Sequence, residues 1–393
     1  MNHDSNPPKI WNLTFISIFI ANMLLYLGQA MSNSILPLYA DSLNAPSAVI
    51  GIVASSYAIT ALVFKLISAP AIDTFNRKYI LAAAFFFMAV AFIGFSFSKT
   101  MPALIFFRLL QGTGQAFTAT CCLALASDTL PREKLGAGIG YFSLAQAIMQ
   151  AFGPTVGLKL KDMIGFSMTF VTGASAMALA VLFALSLKIS FTKTKKFYFS
   201  LNSIIAKEAI IPAILLFFLA TSFMTITSFV AIFGKETVGS NIGYFFTVYA
   251  LTMLVTRPLV GKLADKFGYV KVMLPMMILF ALSLIIISFS SSLPQFMVAA
   301  FLNAFGYGGC GPAIQSLCMK RVPKERRGAG SCTSYIGMDL GSLLGPVIAG
   351  TVAGKLGYVS MWRIMIIPIL TAVFLVFLFR QDIDSAAENP VKE

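Results

Sequence analysis

Apolar stretches of about 20 residues follow one another along the whole chain, separated by short polar, Gly- or Pro-containing breaks. Each is long enough to cross a hydrocarbon core of roughly 30 Å as a helix. The pattern predicts twelve spans, at 12–39, 47–68, 79–98, 102–127, 136–158, 166–188, 210–233, 240–260, 271–291, 294–319, 328–350 and 360–379. The short alternating segments of a membrane β-barrel are absent from the sequence. The longest break, 189–209, is Lys-rich and reads as a linker, and its FYFSLNSII segment suits the membrane surface. The expected domains are a six-helix bundle over 1–188, the linker 189–209, a second bundle over 210–380 and a tail over 381–393.

Polar positions inside these spans recur at helical spacing. Asn22, Tyr26, Gln29 and Asn33 follow i, i+4, i+7, i+11 and fall within an arc of about 60°. Arg108, Gln111, Gln115, Thr118 and Cys122 share a face of the fourth span. Thr221, Thr225 and Ser228 do so in the seventh, and Asn303, Tyr307 and Cys310 in the tenth. Polar stripes of this kind either glue helices together or line a watery passage. Arg108 stands out, because a charge within the membrane costs several kcal/mol unless paired or hydrated. It is read as an anchor for an anionic substrate group, as a partner in proton coupling, or as a structural residue bonded to helix carbonyls.

The stretch YIGMDLGSLLGP, residues 335–346, holds an acid at mid-span, Asp339, whereas the other fourteen acids lie in loops, tails or near helix ends. Gly337, Gly341 and Gly345 form a stripe of the kind that lets helices approach closely. Asp339 lies about 160° from Gly337, on the face of Tyr335, Ser342 and Pro346. A carboxyl buried without a partner favours its neutral form, which would let it bind and release a proton. Asp339 is therefore the expected coupling carboxylate, with pairing to a cationic substrate group or a neutral bond to Tyr335 as alternatives.

The two halves repeat at a constant offset of 192 residues. IGIVASSYAIT at Ile50 matches IGYFFTVYALT at Ile242, Lys65 matches Arg257, and Asp73 matches Asp265. PREKLGAG at Pro131 matches PKERRGAG at Pro323, and Gly153-Pro154 matches Gly345-Pro346. Asp339 has no acidic counterpart, since its repeat position is Ala147. With six spans each, the halves are parallel repeats about an axis along the membrane normal, with a site expected at their interface.

Composition changes the picture little. The 393 residues are 58% hydrophobic and 11% charged, about half the charge of a soluble domain. The net charge of +14 could point to nucleic acid, but its distribution argues otherwise. Twenty-two of the 29 Lys and Arg residues, Lys65 among them, fall on the side of the termini, six on the other, and Arg108 within a span. This is the positive-inside pattern of a multi-pass cell-membrane protein with both termini cytoplasmic. Nucleic acid is not an expected partner. The lipid bilayer and a small-molecule substrate are, and the chain is expected to be monomeric. The five cysteines have no metal-ligand spacing and read as packing residues, so no metal site is expected.

Three motifs carry a family resemblance. APAIDTFNRKYIL (69–81) is similar to the loop motif G-x-L-x-D-R-x-G-R-K, with GKLADKFGYVK (261–271) a closer copy in the second half. LIFFRLLQGTGQA (104–116) matches R-x-x-Q-G-x-G through Arg108, Gln111, Gly112 and Gly114. GPTVG (153–157) resembles the core of an antiporter motif, with Met149 and Leu158 at usual glycine positions. On these motifs the sequence resembles the major facilitator superfamily. That implies an all-α membrane protein with 12 transmembrane helices in two parallel-repeat six-helix bundles, and a central cavity lined by spans 1, 4, 7 and 10. The cavity set becomes Asn22, Tyr26, Gln29, Asn33, Gln111, Gln115, Thr225, Asn303, Tyr307 and Tyr335. The resemblance also implies a cytoplasmic gate of Asp73, Arg77 and Asp128. In the second half Tyr269 and Lys320 replace Arg77 and Asp128, so a latch at Asp265 would need Lys320 or Arg326.

The expected function is alternating-access secondary transport, with proton-coupled export of a small amphipathic drug or metabolite ahead of uptake of a sugar or nucleoside. The chain has no acid in its first span, unlike many proton-driven drug exporters. The single histidine is His3, and there is no G-x-x-x-x-G-K-[ST] loop, so an enzyme or an ATP-driven pump is not expected. No cofactor is implied, and a proton gradient is the expected energy source. A transporter-like sensor would instead tolerate loss of Asp73 and Arg108.

Overall fold

Chain turns fall where the sequence supplies helix-ending chemistry. Asn12 caps the first helix by accepting from the Phe15 N–H at 2.8 Å, and Asn76 caps the fourth by accepting from Lys78 N–H at 3.0 Å. Ser292 and Gln295 form a capping box at the start of the tenth. Gly239 and Gly268 end helices with positive φ. The computed structural model describes residues 11–130, 135–187, 205–322 and 327–388, and these contain no strand. The helices are α1 (Leu13–Ser42), α2 (Ser47–Ser55), α3 (Tyr57–Thr74), α4 (Arg77–Phe97), α5 (Met101–Thr129), α6 (Leu135–Ser186), α7 (Ile210–Val238), α8 (Gly243–Phe267), α9 (Tyr269–Phe289), α10 (Leu293–Arg321), α11 (Arg327–Ile364), α12 (Ile367–Leu378) and α13 (Arg380–Glu388).

These elements make twelve crossings, although their boundaries differ from the hydrophobic stretches. The second span is broken at Ser56 into α2 and α3 and runs on to Thr74. Two long elements each contain a reversal. Within α6, Gly165 has φ +79°, and within α11, Gly357 has φ +80°. These positions differ by the repeat offset of 192, and L side chains rarely adopt such a φ. Packing partners show that the chain doubles back. Gly153 and Gly157 rise along α1 against Ala30 and Ile35, whereas Phe166 and Met177 descend it against Tyr39 and Gly28. In α11, Gly337, Gly341 and Gly345 rise along α7 against Ala213, Phe217 and Thr221. Tyr358 and Met365 then descend it against Phe229 and Ser222.

Both chain ends meet one end of the bundle, called here the tail end. Asn12 donates to the Thr129 carbonyl at 2.8 Å, and α13 docks on α9 and α10 through Arg321–Asp382 at 2.5 Å. Ile383 is buried, so the expected tail is in part a packed helix. The expected linker is likewise shorter than 189–209. Ala206 N–H donates to Thr333 Oγ1 at 2.9 Å, and Ala206 and Ala209 are buried against Cys318, Val322 and Ala329. Residues 188–204 lie outside the described part.

The halves meet along α2 and α3 against α11, and α6 against α8. At the opposite, head end the contact is close. Gly51 lies against the Pro346 carbonyl and Gly350 against that of Ser47. Thr155 Oγ1 donates to the Gly243 carbonyl at 3.0 Å and lies 2.9 Å from Thr247 Oγ1. Outward faces carry exposed apolar side chains such as Phe86, Phe97, Phe374 and Phe377, as a lipid-facing surface requires.

A candidate functional site between the halves

Arg108 sits on α5, 1% exposed, with both terminal guanidinium nitrogens engaged and its Nε buried without a partner. Its Nη1 donates to Gln111 Oε1 at 2.7 Å and Ser32 Oγ at 3.4 Å. Its Nη2 donates to Asn33 Oδ1 at 2.8 Å and to the Ala54 carbonyl at 2.9 Å. The guanidinium lies over the Tyr57 ring, 4.4 Å from its centroid. These five contacts tie α1, α2, α3 and α5 together, and none is a carboxylate. Of the three expected roles, the geometry matches the structural one, and the guanidinium also fixes which way Asn33 and Gln111 face. Gly112 in the same motif brings α5 against the Tyr57 carbonyl, where a Cβ would collide.

Asp339 has a partner that spacing along one helix could not reveal. Lys65 Nζ of α3 meets Asp339 Oδ2 of α11 at 2.5 Å. Lys65 also lies over the Tyr335 ring at 4.8 Å. The sequence offers Asp339 a proton, a cationic substrate group or Tyr335, and counts Lys65 only with the cytoplasmic-side cations; in the structure the two pair with each other. The Lys65 and Asp339 side chains are 17% and 18% exposed, and Tyr335 is 44% exposed. This is an ion pair across the two halves, open on one side. Next to it the α3–α11 seam continues through Tyr57, Ala58 and Ala61 with Leu343. Tyr26 of α1 lies near Tyr335.

The other expected cavity residues divide. Asn22 and Gln29 of α1 are buried, and Tyr26 and Gln115 are half-buried. Asn22 has no partner for its amide. Gln111 Nε2 and both amide atoms of Asn303 are also buried without a partner. Positions 111 and 303 differ by the repeat offset, so the two halves present amides at equivalent points of α5 and α10. Tyr307 stacks on Phe223 of α7 at 3.8 Å and 7° between planes, with Tyr249 5.7 Å from Phe223. Thr225 is a correction. It is fully buried, bonded to the Thr221 carbonyl at 3.0 Å, and continues the α7 face on which the α11 glycines pack. Its hydroxyl is spent on its own helix. Sequence reasoning missed Lys65 and Tyr57. Lys65 falls inside the stretch 47–68, and Tyr57 coincides with Tyr249 in the repeat, which were the available signals.

The family model described as Major Facilitator Superfamily matches residues 18–241 and 212–393, which together span nearly the whole chain. The chain belongs to the Major Facilitator Superfamily. It is a multi-pass membrane transport protein with the major facilitator fold. Among curated relatives it is similar to the multi-drug resistance efflux pump PmrA of Streptococcus pneumoniae, 25% identical over 82% of this chain and 85% of that one. It is similar to the staphylopine export protein of Staphylococcus aureus, 23% identical over 93% and 95%. Among solved structures it is similar to the nucleoside transporter NupG, with TM-score 0.76, 14% identity and coverage of 94% and 99%. A POT family transporter in complex with a thioalcohol-conjugated peptide matches with TM-score 0.78 at 13% identity over 94% and 96%. At these identities the structures speak for the fold alone.

Of the superfamily gate motif, Arg77 begins α4 and donates from Nε to the Ile72 carbonyl at 3.1 Å. The side chains of Asp73, Asp128 and Asp265 lie outside the described part, as does Arg326. In the second half Lys320 lies over the Tyr269 ring at 5.1 Å. The two residues that replace Asp128 and Arg77 thus meet each other as a cation–π pair. The antiporter-like GPTVG segment packs α6 on α1 through Gly153 and Gly157. The five cysteines are free, and the described residues hold no metal-ligand cluster.

Proposed function

We propose that the protein exports small amphipathic compounds in exchange for protons by alternating access. The observation that supports this reading is the Lys65–Asp339 pair, one charge from each half, on the face of α11 turned away from its glycine stripe. Rocking of the halves would separate α3 from α11 and withdraw the ammonium from the carboxylate. A carboxylate left alone in a dry passage favours its protonated form, and it gives up that proton when the ammonium returns. Proton binding is thereby tied to which side is open. The halves lock at the head end through Gly51, Gly350 and Thr155, so the pair would be reached from the tail end, and the Lys and Arg distribution supports a cytoplasmic tail end. The names of the curated efflux relatives support export.

A second reading, uptake of a small polar nutrient, is favoured by the unpartnered amides of Asn22 and Asn303 and the unpartnered Nε2 of Gln111. Proteoliposomes holding the purified protein, given an imposed pH gradient and a panel of labelled drugs, sugars and nucleosides, separate the two. The export reading expects amphipathic compounds to move against the proton flow. Gradient-independent exchange of a sugar or nucleoside alone would overturn it.

A further inference from the structure

We propose that the Lys65–Asp339 pair is the recognition site for a substrate carrying both an amine and a carboxylate, that is, a zwitterion with an apolar body. The proposal rests on the export reading and names its substrate class. These two are opposite charges that face each other across the α3–α11 seam, whereas the ion pair of Lys235 with Asp41, between α7 and α1, is longer at 3.9 Å and more exposed. Each is partly open, and Tyr335 beside them is exposed. Phe64, next to Lys65 in the chain, pairs with Phe117 of α5 at 6.4 Å between ring centroids. Separating the pair strands an ammonium and a carboxylate in the passage, and each is costly there without a partner.

The chemistry then restricts what can release the clasp. A proton neutralises Asp339 but leaves Lys65 charged. A simple amine satisfies Asp339 yet is repelled by Lys65, and a simple acid has the reverse fault. A zwitterion satisfies both at once, and it needs Asp339 ionised, so it cannot share the site with the proton. That mutual exclusion is the condition an exchanger requires. The titratable groups near Asp339 are Lys65 and Tyr57 from α3, and Tyr335 and Cys332 from α11, with Tyr26 of α1 beside Tyr335. The α2 segment packed on α11 brings none. The α7 face under the glycine stripe, Ala213, Phe217 and Thr221, brings none either.

The test uses matched triples of one scaffold as amino acid, amine and acid, for instance tryptophan, tryptamine and indole-3-propionate, extended to larger aromatic and aliphatic bodies. Binding to the full chain in detergent is measured by calorimetry at fixed pH. The proposal expects the zwitterion to bind at least tenfold more tightly than its matched amine and acid. It expects Lys65→Met and Asp339→Asn to remove that preference, and the exchanged pair Lys65→Asp with Asp339→Lys to restore it. An amine or acid that binds best, or the absence of binding by any zwitterion, overturns it in the wild-type protein without recourse to variants. Because no gradient is applied, failure here is distinct from failure of proton coupling, which is read from transport.

Discussion

Arg108 was legible in the sequence as a costly charge, but its partners were not. Apart from Gln111 on its own helix, they come from α1, α2 and α3, between 51 and 76 residues away, and no spacing rule connects them. The structure turns it into a positioning hub, with a testable consequence. Arg108→Lys keeps the charge but cannot form two pairs of hydrogen bonds while lying flat on Tyr57. We expect a loss of roughly 3 kcal/mol in unfolding by SDS titration, with transport reduced. Unchanged stability would contradict the hub. Asp339 shows the same limit from the other side. Its mid-span position and its face were readable from the helical repeat, whereas the Lys65 contact crosses 274 residues.

Elements were more legible than contacts. Twelve crossings follow from hydropathy and span length, and the repeat placed Gly165 and Gly357 at equivalent points. What hydropathy could not show is the break at Ser56, where the chain stays apolar. It also missed the docking of 205–209 and of α13, since short amphipathic pieces carry no membrane signal. Two classes of glycine should separate cleanly. A Cβ at Gly165 meets nothing within 4 Å, so Gly165→Ala costs only its backbone, about 1–2 kcal/mol. At Gly345 a Cβ meets the Thr221 carbonyl, so Gly345→Val must part α11 from α7 at roughly 2–3 kcal/mol. Unfolding midpoints of the two variants, compared with wild type, check this order.

At the scale of the whole molecule, the halves are joined tightly at the head end and by one ion pair nearer the tail end. Cycling requires the head-end contact to open. Thr155→Cys with Thr247→Cys, made in a background lacking the five native cysteines, places two thiols where hydroxyls now lie 2.9 Å apart. Oxidation should abolish transport and reduction should restore it, and transport by the oxidised pair would contradict alternating access. The central claim is that separation of Lys65 from Asp339 couples this motion to a proton. The most direct measurement records substrate efflux and proton entry together in proteoliposomes of wild type and Asp339→Asn. The account predicts coupled fluxes in wild type, and in the variant retained downhill exchange with no accumulation driven by the pH gradient. Gradient-driven accumulation that survives in Asp339→Asn would contradict it.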